Sequence, residues 1–237
     1  MLQLNPRLDR RELAARFADK GRLQIAEPLT AESANGLRTL LARATPWCLA
    51  WQAGATAPPQ VIPNQALRSM GGGEIEDIVR QAAADPDYGF AYHSYPLVKA
   101  YLERWNPGAP QERLLEELNS APILDFMRSV TGLPQIVKMD GQATLYAPGN
   151  FLRPHTDEEN QRGRLVAYVL NLSTDDWQPE WGGLLNFIGD DGAITETLLP
   201  KFNSMSLFRV PQWHEVSIVD TLAPIGRYAI TGWARDQ

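Results

Sequence analysis

The sequence predicts an α+β fold, with helices first and a sandwich or barrel of short strands after them, of the kind that includes the double-sheet jelly roll. Two observations carry this. Up to about residue 135, apolar residues recur three and four apart, the helical period. From Gln135 the period drops to two, and turn residues interrupt it every few positions. Helices segregated from strands in this way pack on one side of a sheet.

Residues 9–20 read as a helix, with Leu13 and Phe17 on its apolar face and Gly21 as its stop. Leu23-Gln24-Ile25-Ala26 is a short strand. Thr30 or Ser33 caps a helix through Ala44, with Leu37, Leu40 and Leu41 on one face. Trp47 to Trp51 is another strand. Residues 53–73 carry Pro58, Pro59, Pro63 and the triplet Gly71-Gly72-Gly73, which is loop composition. Two readings stay open for this stretch, a surface connection and a lid over a site. The glycine triplet lacks the Lys-Ser/Thr of a phosphate-binding loop.

Helical patterns return at 74–84 and 111–119. Ser120 caps a helix over 121–130, ended by Gly132 and Pro134. The aromatic run Tyr88 to Tyr95 is a strand or a channel wall, and His93 within it reads as structural. Strands follow over 142–147, 163–172, 183–188, 193–199, 204–210, 213–219 and 226–233, separated by turns such as Pro148-Gly149-Asn150 and Gly189-Asp190-Asp191-Gly192. Residues 1–137 are thus a mainly helical support region with the 53–73 loop or lid, and 138–237 the strand core, together one integrated domain.

Composition narrows the functions. The chain has 237 residues, 44% of them hydrophobic and 21% charged, enough to fill a core. The net charge is −6 and no basic run exceeds two residues, so no nucleic-acid footprint is present. No apolar run approaches the roughly 20 residues of a membrane span, and no apolar signal core follows the N-terminus. The single cysteine, Cys48, excludes an internal disulfide and fits a reducing compartment, so a cytoplasmic protein is expected.

Two of the three histidines fall in one constellation. Residues i and i+2 of a strand share a face, so His155 and Asp157 would present an imidazole and a carboxylate side by side. His214 would complete a 2-His-1-carboxylate set, which leaves open metal positions for substrate and O2 as in non-haem Fe(II) oxygenases. Arg227 lies thirteen residues beyond His214. An inward-facing Arg on a strand is costly unless it meets an anion, and its fork matches a carboxylate. Salt-bridged or solvent-facing placement is the competing reading. Trp177, Trp181 and Trp213 are read as core packing, with an aromatic substrate groove as the alternative.

Region 142–235 resembles the 2-oxoglutarate and Fe(II)-dependent prolyl hydroxylase superfamily. It is similar to the hypoxia-sensing prolyl hydroxylases, and still more to the ribosomal-protein prolyl 3-hydroxylases and their bacterial relatives. The carrying blocks are Leu145-Tyr146-Ala147-Pro148-Gly149, Pro154-His155-Thr156-Asp157, Arg164 with Tyr168-Val169-Leu170-Asn171, Trp181-Gly182-Gly183-Leu184, and His214-Glu215-Val216 followed by Arg227-Tyr228-Ala229-Ile230-Thr231-Gly232-Trp233. The resemblance implies a double-stranded β-helix core and Fe(II) held by His155, Asp157 and His214. It further implies 2-oxoglutarate paired through its C5 carboxylate with Arg227 beside Tyr146, O2 as the oxidant, and ascorbate as an accessory reductant. It places Arg164 at substrate and Trp233 close to the metal. Where hypoxia-sensing members use a tyrosine on the C5 carboxylate, this chain has Val169, and Tyr168 is the candidate substitute. The implied substrate is a prolyl residue of a protein, such as a ribosomal or translation protein, whose basic charge would suit an acidic enzyme. A free amino acid or small metabolite is the alternative. A non-catalytic or zinc-binding jelly roll is disfavoured because it needs neither Arg227 nor Tyr146.

Overall fold

The structure is a computed structural model, which describes residues 2–158 and 163–237. Its centre is eight strands: β6 (Gln142–Tyr146), β7 (Phe151–His155), β8 (Arg164–Asn171), β9 (Leu185–Ile188), β10 (Ile194–Leu198), β11 (Ser204–Arg209), β12 (His214–Val216) and β13 (Arg227–Arg235). They pair as β11-β8-β13-β6 and as β7-β12-β9-β10. Sequence neighbours therefore fall largely in opposite layers, which is the jelly-roll arrangement. Strand β4 (Gly89–Tyr95) joins the layers along one side. His93 to Tyr95 pair with β6, and Phe90 and Ala91 pair with β7.

The N-terminal region extends this sheet. Strand β1 (Arg22–Ala26) pairs with β11 along its whole length. Strand β2 (Cys48–Ala53) pairs with β4, and β3 (Gln60–Ile62) with β2. The short β5 (Lys138–Met139) pairs with the end of β13. Helices α1 (Arg10–Lys20), α2 (Ala31–Ala44), α5 (Leu97–Leu102), α6 (Pro110–Leu118) and α7 (Ala121–Thr131) contribute to one core with the β8 layer. Phe17, Leu37, Leu41 and Met127 meet Tyr168, Leu170, Leu207 and Ile230 there. Each such side chain contributes roughly 1.5–3 kcal/mol by leaving water. Helix α4 (Gly72–Ala84) packs Ala82 against Ala91 and Phe151. Period two sorts β8: Val166, Tyr168 and Leu170 join the helical core, while Ala167 and Val169 join Leu185, Phe187, Phe208 and Ala229 between the layers.

Caps explain the helix bounds. Asp9 accepts from the Arg11 and Glu12 amides, and Gly21 ends α1 in the left-handed region at φ 65°. Of the two candidate caps for α2, the structure uses Thr30, which accepts from the Ser33 amide. Ser120 occupies the N-cap of α7 without a side-chain bond, its carbonyl accepting from Ile123 and Leu124 instead.

Several sequence expectations are corrected. Residues 53–73 are not a plain loop: they hold β3 and a helical turn, α3 (Asn64–Leu67). The strand read at His155 is β7, which ends at His155 and includes Pro154; β4 pairs only with Phe151 and Leu152, so the proline lies beyond that ladder. Helix α5, six residues long, is too short to show a period. The strand expected over 213–219 is confined to His214–Val216.

Candidate active site

His155 ends β7 and His214 begins β12, and the two residues are direct cross-strand partners. Their rings lie 4.1 Å apart between centroids. Asp157 is not on a strand, contrary to the alternation read from sequence. It follows β7 with φ 65°, in the left-handed region that Asp tolerates better than most residues. That turn swings its carboxylate back onto the imidazoles. Asp157 Oδ1 is 3.3 Å from His155 Nε2, and Oδ2 is 3.6 Å from His214 Nε2. One donor atom from each residue falls within 4.8 Å of the others.

The tautomers suit a metal. His155 Nδ1 donates to the Arg153 carbonyl at 3.0 Å, and His214 Nδ1 donates to the Gln212 carbonyl at 2.8 Å. Each bond is to a residue two positions earlier, so the backbone itself orients both rings and leaves both Nε2 lone pairs facing Asp157. Burial and the neighbouring His155 lower the His214 pKa to about 4, so its ring is neutral near pH 7. Burial alone would raise the Asp157 carboxyl, but the His155 hydrogen bond and the fields of both histidines bring it down to about 2. Two imidazoles and one carboxylate are a donor set that fits a divalent ion with open positions.

Arg164 holds the Asp157 turn. Its Nη1 donates to the Asp157 carbonyl at 3.1 Å, and its guanidinium lies 3.4 Å over the Trp233 ring. Both residues thus flank the Asp157 turn.

A cavity of about 230 Å3 opens beside the triad. Arg227, 2% exposed, points into it from β13 beside its cross-strand partner Tyr146. Its Nε and Nη1 have no hydrogen-bond partner. Burial lowers its pKa to about 10, so it remains a cation near neutral pH. The Tyr146 ring lies 5.2 Å from the guanidinium and stacks on Tyr92 at 4.9 Å. Gly183, at φ 63°, brings bare backbone against this arginine; a Cβ there would sit 3.4 Å from Arg227 Cδ. A desolvated guanidinium with two orphaned donors is a site for a carboxylate.

Other candidates resolve differently. Tyr168 lines the cavity, while its hydroxyl donates to the Asp140 carbonyl at 2.8 Å and its ring packs in the helical core. Val169 lines the cavity as an apolar wall. His93 shares a hydrogen bond with Asn150 Oδ1 at 3.2 Å and lies outside the triad. Cys48 is buried in β2, where burial raises its thiol pKa. Trp177 and Trp181 pack edge to face, Trp213 is half exposed, and none lines the cavity. No residue of 53–73 lines it either.

Sequence reasoning read the Tyr88 to Tyr95 run as a strand or a channel wall, and Tyr88 and Tyr92 do line the cavity; it missed Gln142 and Thr231 there. The Tyr88-Phe90-Tyr92 alternation carried a signal, since all three face the cavity. Gln142 and Thr231, a cross-strand pair, carried none, because isolated polar residues are common in strands.

Residues 141–235 match the family model of the 2OG-Fe(II) oxygenase superfamily. No curated protein sequence matches the chain. Among solved structures it is similar to a Pseudomonas putida prolyl-4-hydroxylase, at 20% identity and TM-score 0.60 over 96% of this chain and 99% of that one. A 2OG-Fe(II) oxygenase family oxidoreductase from Burkholderia pseudomallei aligns at 12% identity and TM-score 0.63, covering 100% and 97%. A Trichoplax adhaerens prolyl hydroxylase, solved with a hypoxia inducible factor peptide fragment, aligns at 16% identity and TM-score 0.60, covering 96% and 89%. Likeness at these identities establishes the shared double-stranded β-helix fold.

Proposed function

We propose that this chain, whose residues 141–235 match the 2OG-Fe(II) oxygenase superfamily model, hydroxylates a prolyl residue of a protein substrate. It is a 2-oxoglutarate-dependent dioxygenase: Fe(II) is the cofactor, and 2-oxoglutarate and O2 are the co-substrates. The iron supplies the redox chemistry that converts substrate C–H, 2-oxoglutarate and O2 into C–OH, succinate and CO2. His155, Asp157 and His214 hold the metal. Arg227 pairs with the C5 carboxylate of 2-oxoglutarate, and the Tyr92–Tyr146 stack walls the pocket against water. Arg164 keeps Asp157 in its left-handed turn, and Trp233 backs Arg164. No described helix is long and apolar enough to cross a membrane; the assignment to the cytoplasm rests on the single cysteine, Cys48, which fits a reducing compartment.

One observation carries the co-substrate site: a buried arginine with two unpaired nitrogens opens into the cavity that holds the triad. The prolyl substrate is supported by the prolyl hydroxylases among the structures of the same fold. The test has two arms. Anaerobic addition of Fe(II) and then 2-oxoglutarate to the apoprotein should produce the visible charge-transfer band of a chelated oxo acid. The band should vanish in His155→Ala and need far more 2-oxoglutarate in Arg227→Ala. Aerobic incubation with proline-containing peptides should add one oxygen atom, located on proline by tandem mass spectrometry. Tight zinc binding without a band would sink the oxygenase site. Turnover of free amino acids with none of peptides would move the substrate to small metabolites.

A further inference from the structure

A second depression, of about 760 Å3, continues from the cavity and shares Gln142, Arg164 and Trp233 with it. Its walls come from the helical region: Val98, Lys99 and Leu102 of α5, with Leu115 and Asn119 of the α6 end opposite. Its floor is β5 and the turn after it, Lys138 to Gly141. This floor is held in place. Asn119 clamps both main-chain groups of Met139, donating to its carbonyl at 2.8 Å and accepting from its amide at 2.8 Å. Asp140 accepts from the Trp233 amide at 2.8 Å, which ties the floor to the rim of the metal cavity.

The groove has its own charge. Four cations line it (Lys99, Lys138, Arg164 and Arg235) against two carboxylates (Glu103 and Asp140). Arg235 neutralises Asp140 at 2.9 Å. Lys99 and Glu103 are 4.0 Å apart and both more than half exposed, a pair worth little in water. Lys138 is exposed and has no ion-pair partner among the described residues. Arg164 is offset by Asp157 Oδ1 at 4.0 Å, so the exposed Lys138 is what leaves the groove net positive, in a chain whose net charge is −6. Screening over about 8 Å at physiological salt makes the local charge, and not the total, the one a bound segment meets. Leu102, 75% exposed beside this charge, adds an apolar contact that no described residue covers.

We infer that this groove seats the polypeptide flanking the target residue, and that it selects flanks carrying Asp or Glu with an apolar residue nearby. The inference rests on the protein-substrate reading above and reverses the preference for basic partners that total charge suggests. The target side chain enters past Arg164 and Trp233, while the flank lies along α5 and β5. Lys138 and Lys99 meet its carboxylates, and Leu102 and Val98 meet its apolar side chain.

The test uses the full chain loaded with Mn(II) and N-oxalylglycine, a non-reacting stand-in for 2-oxoglutarate. The probes are three fluorescent pools of proline-centred peptides, with flanks enriched in Asp/Glu, in Lys/Arg, or in neutral residues. Anisotropy should rank the acidic pool first, with the preference fading as salt is raised. The double variant Lys99→Glu, Lys138→Glu should weaken acidic-pool binding roughly tenfold and favour the basic pool. Leu102→Asp should weaken binding of the neutral pool. Circular dichroism checks that these surface variants fold. An equal or basic preference in the wild type, or an acidic preference untouched by the double variant, overturns the inference. So does a dimer closed over the groove, seen by sedimentation and dispersed by Leu102→Asp. Hydroxylation of the same pools with Fe(II), 2-oxoglutarate and O2 separates the two readings. Pools that are hydroxylated without charge preference refute the groove alone. Pools neither bound nor hydroxylated, while free amino acids are turned over, refute the protein-substrate reading and the groove with it.

Discussion

Arg227→Met should stabilise the apoprotein while abolishing its response to 2-oxoglutarate. The guanidinium is 2% exposed, two of its nitrogens have no partner, and burial lowers its pKa from 12.5 to about 10. A base whose pKa is depressed on folding destabilises the fold at every pH below the folded value, and is relieved only as pH rises through 10. The depression corresponds to about 3 kcal/mol of cost at pH 7. Methionine removes that charge but also the attraction to the Tyr146 ring, 5.2 Å away, worth about 0.5–2 kcal/mol. The net gain is roughly 1–2 kcal/mol, or a melting temperature about 2–8 °C higher for a chain of this length. In the wild type, 2-oxoglutarate at 100 times its Kd should add about 2.7 kcal/mol. Breaking a buried charge pair costs roughly 2–5 kcal/mol, so the same concentration should add almost nothing to the variant. The assay is thermal unfolding of the Mn(II) protein under argon, with and without 2-oxoglutarate. A variant that melts well below the wild type, or that keeps the wild-type shift, would refute the assignment of Arg227 as an anion site held vacant at a cost to stability.

Three other outcomes follow from particular contacts. Arg164→Ala frees the Asp157 carbonyl, so metal affinity should fall about 10–100-fold by titration calorimetry, with little change in 2-oxoglutarate affinity once metal is saturating; unchanged metal binding would leave Arg164 to substrate alone. His214 has its pKa lowered from 6.5 to about 4, so its neutral ring favours the folded state above pH 6.5, and up to about 3 kcal/mol of apoprotein stability should drain away as pH falls from 6.5 to 4. That loss should be absent in His214→Phe, read by urea midpoints across the range. Gly232→Ala would set a Cβ 2.3 Å from the Asp140 carbonyl oxygen, and the forced separation of β13 from the 140–141 turn should cost about 3 kcal/mol, visible as a melting drop of roughly 6–12 °C.

The period change near residue 135, the helix signals at Gly21, Thr30 and Gly132, and the Pro-Gly and Gly-Asp turns were all legible, because helix, strand and turn preferences are local. The His155, Asp157, His214 and Arg227 set was legible as a candidate, since only a few residue types bind metals or carboxylates and all four sit in short motif blocks; the structure brings them to one cavity. What stayed hidden was everything set by long-range partners. Asp157 reaches the metal face through a left-handed turn held by Arg164, not through strand alternation. Tyr168 is spent on the Asp140 carbonyl because β8 turns that face to the helices. The 53–73 segment pairs at an outer edge and does not line the cavity of the triad. The groove between α5 and β5 gathers its positive charge from residues 99, 138, 164 and 235, which no window of sequence holds together. Local chemistry writes its signature over a few residues, whereas a pocket and its charge are sums over segments that only the sheet brings to one place.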